Sequence, residues 1–366
     1  MAQTRIGVAD PRAVKRWSSA LAVDTLTSSY FSRKFMSSGT TPNTPIQLLT
    51  NLESDAGDQI SFDLSMQLQS VPIKGDNRLE GSEEALVMYT DRILIDQARG
   101  AVSGGGRMSR KRTLHDLRSI AKDRMSEWWA RYFDELFFIY LSGARGINPY
   151  IESVGFTGFA GNPIQAPDAN HLQYAGQATA SNNMLQTDIM DITTVNRLKA
   201  RADTVGGGDG VARIQPVMID GEEHYVLVMH PWQEYDLRSS VSAGQWVDLQ
   251  KALSLAEGNK NAIFKGGLGM INNVILHSHK SVTRFNTYGV GGNVNAARAL
   301  FMGAQAATCA FGMAGTGIRF GWVEYLKDAE NELVISSNSI FGIKKTRFNN
   351  QDFGVIAVDT ATNQPY

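Results

Sequence analysis

Cysteine is almost absent: among 366 residues only Cys309 carries a thiol. One thiol cannot close an internal disulfide, so nothing points to an oxidising compartment and the fold must rest on packing. An excess of one charge is missing too. With 35 Lys and Arg against 36 Asp and Glu, the formal net charge is -1, whereas a free-standing nucleic-acid binder shows a basic excess or stripe. A basic face offset by acidic surface elsewhere stays open. No run approaches the roughly 18 apolar residues of a spanning helix, and Met1 to Asp10 lacks the apolar core of a secretory signal. The expectation is a chain made and kept in cytoplasm-like conditions, without a membrane.

Chemical signatures are also lacking. Gly206-Gly207-Gly208-Asp209-Gly210 and Gly266-Gly267-Leu268-Gly269 have neither the lysine and Ser/Thr of a phosphate loop nor dinucleotide spacing, and read as loops. His277 and His279 could face one way on a strand, but no cysteine or carboxylate cluster completes a metal site. His230-Pro231 ends a strand with no nucleophile tied to it by spacing, and Cys309 sits among small apolar residues as a buried thiol would. No catalytic residue, cofactor or metal is assigned, and an enzyme becomes the less favoured reading.

What is present is a core and a set of long elements. Hydrophobic residues make up 43% and charged residues 19%, enough apolar material for one or two folded domains. Asp10-Pro11 suits a helix start running to about Phe35, and the turn-rich stretch Ser37 to Pro45 follows. The first fifty or so residues read as an arm. Ile60, Phe62, Leu64, Met66 and Leu68 then alternate with polar residues, the period of a half-buried strand. The polar stretch Lys74 to Glu84 reverses the chain, and an extended run from Leu86 to Arg99 returns to Gly104-Gly105-Gly106, read as a flexible joint. A lone hairpin is marginal in water, so its apolar face needs cover, from the same chain or from a neighbour.

A long helix is expected from Thr113 to Leu141, with Leu114, Leu117, Ala121, Met125, Trp128, Tyr132, Leu136 and Ile139 as its stripe, a Thr113/Asp116 capping box and a Glu127–Arg131 pair. At its start Arg107, Arg110, Lys111, Arg112, Arg118, Lys122 and Arg124 form a basic run, either a solvated face or a loose contact with phosphates. Residues 143–186 read as loop-rich and Asp188 to Thr204 as a helix. Strands at Tyr225–Met229, Val274–His277, Ala299–Met302, Phe341–Lys345 and Phe353–Val358, with a helix from Trp232, complete an α+β organisation.

The order of these pieces resembles the HK97 fold of tailed-phage major capsid proteins. Particular runs look like the N4-gp56 family of such proteins: Gly75 to Leu86 (GDNRLEGSEEAL), Gly57 to Phe62, Tyr225 to Arg238 (YVLVMHPWQEYDLR), Gly342 to Phe348 and Asp352 to Val355. The resemblance implies an HK97-like α+β fold with an N-terminal arm at 1–56 and an E-loop at 57–106. It implies a P domain with its spine helix at 107–215, an A domain over most of 216–333, and a return to the P domain at 334–366. It implies a major capsid protein that self-assembles, as hexamers and pentamers, into the icosahedral head of a tailed phage around double-stranded DNA. Ile60, Phe62, Leu64, Met66 and Leu68, with Lys74, Glu80, Glu83 and Glu84 near the tip, would meet a neighbouring subunit. Gly104, Gly105 and Gly106 would hinge during expansion, and Arg107, Arg110, Lys111, Arg112, Arg118 and Lys122 would face DNA. Scaffolding and portal proteins would be separate chains, with a decoration protein as a further partner. Some members crosslink through Lys and Asn; Lys74 reads as a solvated lysine, and no such bond is expected. The rivals are an encapsulin shell on the same fold and, further off, an α+β metabolic enzyme.

Overall fold

In a computed structural model the described residues are 21–364 except 40–42, 54–56, 69, 114, 207–210, 220, 241–245, 247–249, 252–262 and 313–318. The expected helix start at Asp10-Pro11, Leu114 of the stripe and Gly207 to Gly210 lie outside them. Residues 21–28 are helical, and α1 (Tyr30–Lys34) follows after Ser29. The strands β1 (Met36–Ser38), β2 (Ile46–Leu49), β3 (Gln59–Ser65), β4 (Met88–Leu94) and β5 (Asp96–Ser103) come next, then helices α2 (Arg107–Arg112) and α3 (Leu117–Ser142). Beyond them lie β6 (Leu172–Tyr174), α4 (Ile192–Thr204), β7 (Val217–Ile219), β8 (Glu222–Met229), α5 (Pro231–Ser240), β9 (Gly269–Ile271), β10 (Val274–Ser278) and β11 (Arg284–Tyr288). The chain closes with β12 (Val294–Met302), β13 (Ala307–Phe311), β14 (Phe320–Lys327), β15 (Glu332–Lys345), β16 (Arg347–Phe348), β17 (Gln351–Asp352) and β18 (Val355–Ala361).

Two sheets carry the structure. In the six-stranded one the order is β1-β2-β13-β15-β14, with β5 on the other side of β15. The long strand β15 organises it: β14 pairs with its first half from Lys327↔Glu332 to Phe320↔Ser339, and β13 with its second half from Phe311↔Phe341 to Ala307↔Lys345. The eight-stranded sheet runs β9-β10-β8-β12-β18-β6, with β7 on β8 and β11 on β12. Its central strands are buried over most of their length, from His224 in β8 and Ala296 in β12 and throughout β18, and Val226, Leu227, Ala299, Phe301, Ile356 and Val358 fill both faces, as strands covered on two sides must.

These sheets cut across the borders expected from sequence. β13 and β14 fall within the 216–333 segment yet pair with β15, while β18 of the 334–366 tail lies in the other sheet beside β12. The chain crosses between the sheets twice near its end, which local patterning does not reveal. The arm is likewise built in: β2 pairs in parallel with β13, and Leu21, Phe31, Phe35 and Ile46 are buried in the main core.

Helix α3 lies across the six-stranded sheet. It begins at Leu117, not at Thr113, because Asp116 is itself the N-cap and accepts from the Arg118 amide at 3.0 Å. Gly143 closes it at φ 67, the left-handed conformation a glycine C-cap supplies. From Trp129 onward the helix is buried nearly all round, so its stripe widens into a core helix and its periodicity weakens. The expected Glu127–Arg131 pair does not form; Glu127 pairs with Arg124 at 2.6 Å and Arg131 lies 3.5 Å from Glu135. Trp129 packs edge-on against Phe320 and donates to the Ser337 hydroxyl at 3.0 Å, fastening helix to sheet.

Asp134 joins α3 to the N-terminal segment. Its buried carboxylate accepts from the Ser29 hydroxyl at 2.8 Å and the Tyr30 and Phe31 amides at 2.9 and 3.2 Å, so it caps α1 from another helix. Burial outweighs these donors and pushes its carboxyl up to about 6. The folded chain therefore keeps this proton between pH 4 and 6, where the unfolded chain has lost it, and this group's contribution to stability falls as pH rises through that window. Asp134→Asn should remove the dependence: the difference in melting temperature between wild type and variant should change between pH 4.5 and 7.5, in the wild type's favour at the lower pH. An unchanged difference would contradict it.

Candidate assembly surfaces

The alternating segment divides into two parts. β3 pairs with β4 from Gln59↔Leu94 to Ser65↔Met88, placing Ile60 opposite Ile93, Phe62 opposite Asp91 and Leu64 opposite Tyr89. At the base the apolar face is covered by its own chain: Ile60 is buried with Leu49, Leu52, Ile93 and Ala310, and Phe62 meets Phe348 edge-on at 5.9 Å. Asp91 anchors the base through Lys344 and the Arg347 amide. Gly342 is required here, since a Cβ on it would stand 2.0 Å from the Leu94 carbonyl oxygen. Further out, Leu64 and Met66 line a small cleft with Val211, Arg213 and Phe353 of the same chain. Within the subunit Ile60 is thus buried, while Phe62, Leu64 and Met66 stay half-buried.

Beyond Gln67 the chain leaves this cleft. The described residues of 66–87 form no strand, and Leu68, Val71, Leu79, Leu86, Val87 and Met88 are exposed, Val71 at 80%. Lys74, Glu80, Glu83 and Glu84 are exposed among them. Large apolar side chains so clustered on a projecting loop mark an interaction surface. Of these six, only Leu68 was legible from alternation. Leu79 sits in the polar stretch that reads as a plain turn, Val71 just precedes it, and Leu86, Val87 and Met88 open the run read as the returning strand.

Ile95 divides the returning strand: β4 stays with β3 while β5 crosses to pair with β15 over Asp96↔Phe341 to Ser103↔Val334. The glycines at its end are pinned in this state. Gly104 donates to the Leu333 carbonyl at 2.7 Å, Gly105 has φ 71, and a Cβ on Gly106 would stand 3.3 Å from Asn331. Much of the basic run is engaged within the subunit: Arg118 with Glu324 at 2.7 Å, Lys122 with Asp24 at 2.5 Å, and Arg107 3.7 Å from Glu330. Arg110 donates to the Asn331 carbonyl at 3.1 Å, while Lys111 and Arg112 are exposed on α2.

His277, His279 and the thiol are packed into the body. His277 contacts the Ile263 carbonyl at 2.8 Å, His279 stacks on Phe138 at 5.0 Å, and burial first, then nearby lysines, hold both imidazoles down near pH 4. Burial pushes the Cys309 thiol up to about 12. Among the described residues no group of three or more His, Cys, Asp or Glu could hold a metal, and no helix is long and apolar enough to cross a membrane.

A body of two sheets spanned by one long helix, with an extended loop thrown clear of it, is the HK97-like capsid architecture, and the protein is of the shell-forming class. The sequence matches the phage capsid protein family over residues 5–364. It is 30% identical over 360 residues to the major capsid protein of Pseudomonas phage KPP25, covering 88% of this chain and 89% of that one. The capsid of Ralstonia phage GP4 superposes with a TM-score of 0.87 at 51% identity over 100% of both chains. The Cyanophage Pam1 capsid shares the fold at a TM-score of 0.70 and 18% identity, over 90% of this chain and 91% of that one. The chain belongs to the phage capsid protein family: it is a major capsid protein, and its place is the shell of the virion.

Proposed function

We propose that the chain builds the icosahedral head of a tailed phage by repeated self-contact, with residues 66–88 laid over a neighbouring subunit as the tip of an E-loop. One observation carries this reading: Leu68, Val71, Leu79 and Leu86 of the tip stand largely exposed on their own subunit, while the base of the same hairpin is anchored. The same sequence would serve in hexamers and pentamers, with the base fixed and the tip, joined by non-strand backbone, adapting to each setting. The six-stranded sheet with α3 corresponds to a P domain and most of the eight-stranded sheet to an A domain. The shell encloses double-stranded DNA without reading its sequence, and scaffolding, portal and any decoration proteins are separate chains. The work is geometric, with no catalytic step and no cofactor. Family membership favours this over an encapsulin or a metabolic enzyme. Expressed with the neighbouring genes of its source genome and sedimented, the protein should form closed shells visible by electron microscopy. A protein that stops at a small oligomer under every condition would refute it.

A further inference from the structure

The ribbon of β4 and β5 changes partners at a single residue. β4 runs with β3 as far as Leu94, β5 joins β15 from Asp96, and only Ile95 lies between them. Ile95 donates to the Asp58 carbonyl at 2.9 Å, so by strand alternation Leu94 turns its N–H and C=O to the opposite edge, away from β3. Half-buried, these two groups need a partner within the protein. Asn162 is that partner: its Nδ2 donates to the Leu94 carbonyl at 2.8 Å, and its Oδ1 accepts from the Leu94 amide at 3.0 Å. One carboxamide thus stands in for a strand at the step between two ladders.

Asn162 is itself held firmly. It is 2% exposed and pairs with Phe159 across a tight turn in which Ala160 and Gly161 are both left-handed, at φ 57 and 75, the geometry of a two-residue hairpin loop. Tyr140 on α3 donates to the Asn162 carbonyl at 2.7 Å and accepts from the Phe159 amide at 2.6 Å. Gly158 is required beside it, since a Cβ would meet the Asn162 carbonyl oxygen at 2.1 Å. Phe159 stacks at 4.7 Å on Phe341, the β15 residue paired with Asp96. The side chain that holds Leu94 is therefore fastened both to the long helix and to the first rung of the second ladder.

We infer that Asn162 is a positioning residue for assembly: it fixes the angle at which the β3–β4 hairpin stands on the six-stranded sheet, so that every copy presents residues 66–88 alike. The inference rests on the reading that those residues join subunits. Without the carboxamide β3 would still pair with β4, and β5 with β15, but the step between them would lose its tie to α3. β4 is seven residues long, about 23 Å at roughly 3.3 Å per residue, so a small rotation at its root is magnified at its far end. A closed shell repeats one contact geometry many times, which such a rotation spoils.

Asn162→Ala tests it. The soluble subunit should keep its circular dichroism spectrum. Hydrogen exchange at the Leu94 amide should quicken about tenfold, the factor expected for one lost hydrogen bond, while amides of β12 and β18 keep their rates. Closed particles counted by electron microscopy should fall about tenfold per folded subunit. Ser337→Ala is the control: it too removes a buried side-chain hydrogen bond, the one from Trp129, but away from the step, and it should assemble at normal yield. Normal particles from Asn162→Ala, or an equal loss from Ser337→Ala, would overturn the inference, because the carboxamide would then be a stability contact only. If Asn162→Ala gives no soluble subunit, Asn162→Ser takes its place with the same outcomes. Leu68→Asp/Leu86→Asp keeps the two levels apart. Normal particles from it remove the loop reading, whereas none from it beside normal ones from Asn162→Ala remove only the role of Asn162.

Discussion

Asp359→Asn should cost the isolated subunit about 3–5 kcal/mol, because it strands a buried guanidinium. Arg298 on β12 and Asp359 on β18 sit side by side in the eight-stranded sheet, 8% and 0% exposed. The guanidinium meets the carboxylate through two bonds, of 2.6 and 2.7 Å, and a further one reaches the Ser142 carbonyl at 2.8 Å. Tyr288 donates to the same carboxylate at 2.9 Å. Although burial opposes its charge, Asp359 and then Tyr288 hold Arg298 firmly protonated. One ion pair thus joins two strands, the end of α3 and a third strand. An asparagine keeps the shape but supplies no negative charge, and the remaining cation has no solvent to retreat to. Denaturant unfolding of the unassembled subunit reads the loss. Arg298→Met/Asp359→Leu should recover much of it, since replacing both members of a buried pair by apolar residues is often near neutral. A loss below about 1 kcal/mol for the single change would show that water reaches the pair.

Leu68→Asp/Leu86→Asp should have the opposite profile: a subunit of unchanged stability that forms no shells. Both side chains are well exposed, at 64% and 68%, and substitutions at such positions usually fall within about 0.5 kcal/mol. Burying each leucine against a neighbour is worth about 1.5–3 kcal/mol. Every subunit both gives a tip and receives one, so the loss recurs at each contact around the shell. Particle counts by electron microscopy should fall more than tenfold while the melting temperature stays put. Phe62→Asp is the informative contrast. Its packing on Phe348 makes it a stability mutation first, so its failure to assemble would say little about neighbours.

The sequence exposed the local elements well where one physical period dominated. The alternation around residue 60 yields β3, and the strands at 225–229 and 274–277 stand where their apolar runs put them. What stayed hidden was long-range. Nothing near Ile60 says that Leu49 and Ala310 will cover it, nothing in the N-terminal segment says that Ile46 will pair with Ala307, and β18 gives no sign that it will leave its neighbours for the other sheet. Helix α3 illustrates a different limit: Thr113 and Asp116 are both suitable caps by residue type, and only the folded backbone selects Asp116, three residues later. The assembly surface was half legible. Alternation pointed to the hairpin, but period two cannot distinguish a face covered at home from one covered by a neighbour, and apart from Leu68 the residues that remain uncovered lie past the end of the pattern.

A cryo-electron microscopy reconstruction of the assembled shell measures the decisive quantity, the cover over residues 66–88. Leu68, Leu79 and Leu86 should lie buried against an adjacent subunit. A map in which this segment folds back onto its own sheets, leaving no contact with another copy, would contradict the proposal that the tip joins subunits.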